Sequence, residues 1–219
     1  MRRLSEAPGS RPTSRPRLHL WVPCYDCQVS ERQKDVFLDS GRVTFRRGLP
    51  SDDLVLGDID GSFVTDTIFE VRPSANGFTL NEKSVSSPIV KRFPLGEDTD
   101  VEDVEESARF VAVNAHGTPC GFIDVVFEVW NRRVVIADLE LSPQYRRRGL
   151  GRELVGLAAN YGRELNARTL WLEVTNINAP AIRAYLRMGF KFCGLDTSLY
   201  RGTASEGEVA VFMSRNLPG

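Results

Sequence analysis

Asp138 and Glu140 stand two residues apart in the alternating run "VVIADLEL". If that run is a strand, both carboxylates lie on one face, opposite Leu139 and Leu141. A carboxylate so placed can take a proton from a primary amine, which with a pKa near 10.4 is only about 0.04% neutral at pH 7, a penalty of roughly 4–5 kcal/mol for unassisted attack. Decoration of a strand edge is the plainer role for the same pair. Directly downstream, "LSPQYRRRGLGREL" passes from the strand through Arg146, Arg147 and Arg148 into Gly149, Leu150 and Gly151, and then into a helical pattern. A helix start leaves backbone N–H groups unpaired and carries partial positive charge. Glycines there let a ligand approach closely, and arginines add charge, so the segment suits a phosphate or pyrophosphate. It is not a Walker A loop, because no Gly-Lys-Ser/Thr follows at the required spacing. A dinucleotide fingerprint would need glycine where Leu154 stands. A solvated basic turn is the competing reading.

The elements that must hold these groups are legible as hydrophobic periods. "RVTFRR" alternates as a strand does, and "PSDDLVLGDID" opens with Pro and Ser like a helix. "TIFEVR" and "GFTLNEKSV" read as strands about a turn at Pro73–Gly77; "ARFVAVNA" and "FIDVVFEVW" read as a hairpin about "HGTPCG". Leu150, Leu154, Leu157, Ala158, Tyr161 and Leu165 fall on one face at the helical period. "TLWLEV" is a strand, "NAPAIRAYLRM" a helix closed by Gly189, and "FKFCGLDTSLY" and "EGEVAVFMSR" are final strands. This order predicts one α+β domain with a mixed sheet and helices on both faces.

The pattern Arg146-x-x-Gly149-x-Gly151 resembles the Arg/Gln-x-x-Gly-x-Gly/Ala signature of the GNAT acetyltransferases. "LEVTNINAPAIRAYLRMGFK", with Asn178, Tyr185, Gly189 and Phe190, is similar to that family's next strand and helix. The resemblance implies a mostly antiparallel GNAT-type sheet, with acetyl-coenzyme A in a V-shaped split between the parallel strands "VVIADLEL" and "TLWLEV". It implies that Arg146–Gly151 anchor the pyrophosphate, that backbone N–H groups around Leu139 and Leu141 polarise the thioester carbonyl, and that Asn178, a helix cap, also touches the cofactor. It further implies Tyr185 as the acid that protonates the leaving thiolate; a core tyrosine is the alternative. Some family members carry their base glutamate where Val135 stands, which leaves the base to Glu140, placed first as nearest the bulge-prone strand end, or Asp138. "NGFTLNEKSVSSPIVKRFP", the acidic run "GEDTDVEDVEES" and "GFKFCGLDTSLY" resemble the streptothricin acetyltransferase branch. The implied acceptor is a small cationic amine, with antibiotic resistance as the consequence; acetylation of a protein N-terminus or lysine, and a non-catalytic acyl-coenzyme A sensor, are the alternatives.

The remaining features set limits. The chain has 219 residues and a formal net charge of −1, which argues against general nucleic-acid or anionic-membrane binding. No apolar run approaches a membrane span. Four cysteines without a secretory signal predict reduced thiols in a cytoplasmic setting. Residues 1–40, rich in Arg, Pro and Ser, are expected to be a disordered extension of a domain spanning 41–219. Cys24 and Cys27 have zinc-knuckle spacing with His19 nearby, but no second pair completes four ligands, so no metal is expected. His116 belongs to a turn, and Cys193 follows a strand alternation and is expected in the core. Glu97–Glu106 carry seven carboxylates and no cation, either a solvated loop or an attractor for a polycationic acceptor. A monomer and a homodimer fit the sequence equally.

Overall fold

The computed structural model describes residues 35–38, 41–92 and 106–218. Cys24, Cys27, His19 and the acidic run up to residue 105 lie outside the described residues. Eight strands form one sheet in the order β1 (Asp35–Leu38), β2 (Gly41–Arg47), β5 (Glu106–Val113), β6 (Pro119–Glu128), β7 (Arg133–Leu141), β8 (Thr169–Thr175), β10 (Ala210–Asn216), β9 (Lys191–Asp196). Every neighbouring pair is antiparallel except β7 and β8. Among the described residues the first strand starts at Asp35, ahead of the expected boundary at Gly41, with β1 paired along β2.

Helix α2 (Leu150–Glu164) is the crossover from β7 to β8 that a parallel pair requires. It buries Leu150, Leu154, Ala158 and Tyr161, the stripe its period marked, against Phe110, Val134 and Leu172. Helix α3 (Ala179–Arg187) lies on the same side: Arg152 of α2 donates to the Arg187 carbonyl at 3.3 Å, and Arg215 of β10 donates to the Met188 carbonyl at 3.0 Å. The opposite face holds a smaller cluster of Leu56, Ile59, Val111, Val113 and Phe122. Leu56 comes from α1 (Asp53–Gly57), a shorter helix than "PSDDLVLGDID" suggested, preceded by a 3-10 turn at Pro50–Asp52.

Strands β3 (Phe63–Ser74) and β4 (Gly77–Lys91) are longer than their apolar runs and form a separate two-stranded ribbon. A lone ribbon is marginally stable, so it must be fastened elsewhere. The Phe69 N–H donates to the Asn176 carbonyl at 2.9 Å, and Asn176 Nδ2 returns a bond to the Phe69 carbonyl at 2.9 Å. Arg183 of α3 grips Glu82 at 2.9 Å, and Lys91 reaches Ser205 and Glu208. These ties hold the ribbon across the end of β8. Cys193 is exposed on the edge strand β9, not in the core, while its neighbour Phe192 packs edge-on against Phe69 of the ribbon. Among the described residues no helix is long and apolar enough to cross a membrane.

Candidate active site

Strands β7 and β8 pair only from Arg133↔Thr169 to Ile136↔Leu172. Both continue, β7 to Leu141 and β8 to Thr175, without pairing further. Two parallel strands that part in this way open a split lined by main-chain groups. Val135 is still within the paired part, opposite Trp171.

The cause of the parting is visible on the other edge of β7. Its register with β6 runs Gly121↔Leu141 to Asp124↔Asp138, then resumes at Val125↔Ile136, so Ala137 is an extra residue. Such a bulge bends its strand and reverses the side-chain parity beyond it. Hence Val134 and Ile136 face α2 before the bulge, and Leu139 and Leu141 do so after it. Asp138 and Glu140 take the other face, as their spacing predicted. The bulge adjoins Asp138, however, and not Glu140, which removes the reason for ranking Glu140 first.

The same register aims the backbone. The Ser142 N–H bonds the Cys120 carbonyl at 3.0 Å, and hydrogen-bonded positions alternate along an antiparallel ladder. Glu140 and Asp138 therefore turn their peptide groups to β6, while Leu139 and Leu141 turn theirs to the split. The Leu139 N–H is held by Asp138 Oδ1 at 2.8 Å, and the Leu141 carbonyl accepts from Arg146 Nε at 2.8 Å. Gly121, opposite Leu141, is required by closeness: a Cβ there would lie 2.3 Å from Leu141 Cδ2 and 2.9 Å from the Glu140 carbonyl oxygen.

Glu140 is 7% exposed, beside Phe122 in register, while Asp138 is half-buried. Tyr185 of α3 packs edge-on against Phe190 with ring centroids 5.5 Å apart. Burial, and secondarily the Asp138 charge, hold its phenol well above the usual tyrosine value. It is thus protonated at neutral pH and near Asp138, as an acid for a leaving thiolate must be.

Arg146 spends its guanidinium on the carbonyls of Leu141, Ser62 (2.5 Å) and Asp60, so it braces the loop from behind. Arg147 and Gly149 have φ of 59° and 88°. Gly149 is the N-cap of α2 and supplies no side-chain cap, which leaves the first-turn N–H groups available to an anion. A Cβ on Gly151 would sit 3.6 Å from Leu141 Cδ1, an ordinary contact, so the protein itself does not demand glycine there. Arg148 is exposed beside this turn, and Leu150 is fully buried beneath it. Asn178 Oδ1 accepts from the Ala181 N–H at 3.2 Å, which is the cap its position predicted.

Two groups on the carboxylate face escaped sequence reasoning. Glu173 of β8 lies just beyond the last β7–β8 pair and accepts a hydrogen bond from the buried Tyr200 hydroxyl. Arg109, 5% exposed, binds both oxygens of Asp124 at 2.6 and 2.7 Å and Asp53 at 2.5 Å. Only strand register brings Arg109, Asp124 and Asp138 together, so no local spacing could have marked them.

The site therefore offers a parted parallel pair with amides facing the opening, an uncapped helix start beside it, carboxylates on one face and a protonated phenol near them. These features fit a thioester cofactor carrying a diphosphate. The acetyltransferase (GNAT) family model matches residues 79–190. A streptothricin acetyltransferase of Streptomyces lavendulae is 50% identical over 179 residues, covering 80% of this chain and 95% of that protein. The crystal structure of a nourseothricin acetyltransferase superposes with a TM-score of 0.74 at 48% identity, over 80% of this chain and 99% of that one. A Bacillus anthracis homologue of the streptothricin acetyltransferases, solved with acetyl coenzyme A, shares the fold at a TM-score of 0.66 and 24% identity, over 80% of this chain and 99% of that one. The chain belongs to the GNAT family of acetyl-coenzyme A-dependent N-acetyltransferases.

Proposed function

We propose that the chain acetylates a primary amine of a cationic small molecule of the streptothricin class, by direct attack within a ternary complex. The observation that carries this reading is the carboxylate face beside the split. Asp138 and Glu140 stand on it, with Asp53, Asp124 and Glu173 around them, and Arg109 is the cation set among them. An ammonium is drawn to such a face, and one of its protons has an acceptor there. The 50% identity to a protein named for streptothricin acetylation supports the same acceptor.

In the proposed reaction the amine nitrogen bonds the acetyl carbon, and the carbon–sulfur bond breaks. The nitrogen's proton passes to Asp138, directly or through water, with Glu140 beside it. Tyr185 gives its proton to the departing sulfur. The amides of Leu139 and Leu141 stabilise the carbonyl oxygen as it gains charge, for which Asp138 must release the Leu139 N–H. Arg147–Gly151 and the first turn of α2 hold the diphosphate, Arg146 keeps that loop in place, and Asn178 closes the cofactor side at the start of α3.

The test is thioester consumption with streptothricin, with simple diamines and with peptides bearing a free N-terminus or lysine. Mass spectrometry should show one acetyl group gained by streptothricin. Turnover confined to peptides would establish protein acetylation instead, and binding of acetyl-coenzyme A with no acceptor consumed would establish a sensor.

A further inference from the structure

We infer that Arg109 and Asp124 are positioning residues that set the ionisation of Asp138, so that the face can hold several carboxylates and still accept a proton near neutral pH. The inference rests on the reading of Asp138 as proton acceptor. Arg109↔Asp124 and Asp124↔Asp138 are register pairs, so the three side chains form one row over β5, β6 and β7. Adjacent strands are about 5 Å apart, which places Asp124 between a guanidinium and the proposed base.

The row is built to keep Arg109 fixed. Its guanidinium has both oxygens of Asp124 on one edge and Asp53 of α1 on another, and it lies over the Phe122 ring at 5.4 Å. Its aliphatic stem covers Gly48, where a Cβ would come within 2.8 Å of Arg109 Cγ. The Gly48 N–H also donates to the Arg109 carbonyl at 2.9 Å. A buried ion pair is weak evidence of a stability role, because desolvation offsets much of the attraction.

Among the described residues, the ionisable groups around Asp138 are Arg109 from β5, Asp124 from β6, Glu140 on its own strand, Asp53 from α1, Glu173 from β8 and the neutral Tyr185 phenol from α3. Clustered carboxylates raise one another's pKa, and a neighbouring cation lowers it. Asp138 is among the groups that favour the charged form of Arg109, so the two are electrostatically linked. With Arg109 in place, the proposed base stays ionised despite its neighbours. With Asp124 interposed, it is not driven so low that it ceases to accept a proton.

The test reads the acidic limb of kcat/KM for the amine acceptor in the full-length enzyme. Asp124→Asn removes an anion beside Asp138 and should move that limb to lower pH, by about one unit. Arg109→Met should move it the other way by a similar amount. Acetyl-coenzyme A affinity should stay unchanged in both, by calorimetry. A limb that stays in place while only the melting temperature falls would make the row purely structural and overturn the inference. If Arg109→Met fails to fold, the direction of the Asp124→Asn shift decides alone. Asp138→Asn separates this from the underlying reading: a limb that survives unmoved in Asp138→Asn removes that residue as base. A limb lost in Asp138→Asn but unmoved in Asp124→Asn sinks the tuning role alone.

Discussion

Asp138 Oδ1 accepts the Leu139 N–H at 2.8 Å, in the part of β7 that has left β8 and turned its peptide groups to the split. One amide proton cannot serve both a carboxylate and a thioester carbonyl, so in the proposed reaction these two residues couple cofactor polarisation to the freedom of the base. Asp138→Asn keeps an oxygen for that N–H but loses the charge. The expected fall in kcat/KM at neutral pH is about 10²-fold or more, shrinking as pH nears the acceptor's own pKa. Glu140→Gln and Glu173→Gln run beside it. A larger, pH-sensitive loss in either transfers the role there, and a pH-independent loss marks positioning.

Tyr185→Phe removes one hydroxyl and preserves the edge-on contact with Phe190. Turnover should fall about 10²-fold with little change in acetyl-coenzyme A affinity. The phenol's pKa is raised, so wild-type rates should show no loss of the acid between pH 7 and 9. Near wild-type turnover in the variant would leave water as the proton source.

The two loop glycines should separate fold from ligand. Gly149 needs its φ of 88°, so Gly149→Ala should cost about 1 kcal/mol of stability. Gly151 has room for a Cβ, so Gly151→Val should leave the melting temperature nearly unchanged yet weaken coenzyme A binding by several kcal/mol, roughly what losing amide–phosphate contacts implies. Unaltered affinity by calorimetry would dismiss this turn as the diphosphate site.

Gly121→Ala tests the bulged strand. Its new methyl would press on Leu141 and the Glu140 carbonyl, so β7 must shift where its amides face the split. Both stability and kcat should drop, the latter with little change in acceptor KM. A stable variant of full activity would show that the spacing of β6 and β7 does not control the site.

Truncation checks where the domain begins. Removing residues 1–34 should leave melting temperature and activity intact. Removing 1–40 also deletes β1, exposes the edge of β2, and should lower the melting temperature. Equal melting temperatures would mean that β1 contributes nothing.

What the sequence alone determined is what depends on short range. Helix α2 announced itself through Leu150, Leu154, Ala158 and Tyr161, because a 3.6-residue stripe needs only one helix to be seen. The glycines at 149 and 151, the Asn178 cap and the shared face of Asp138 and Glu140 follow from backbone geometry within a few residues. The tertiary structure decided everything that depends on pairing between distant strands. The bulge at Ala137 exists only relative to β6, and past it the peptide groups of Leu139 and Leu141 face the split and Asp138, not Glu140, adjoins the bulge. Arg109 and Asp124 sit opposite each other because β5 and β6 pair in one register, and a one-residue slip would send each to the other face. Cys193 alternates like a core residue and is nonetheless exposed, since alternation records a strand's two faces and cannot say whether a layer covers either of them.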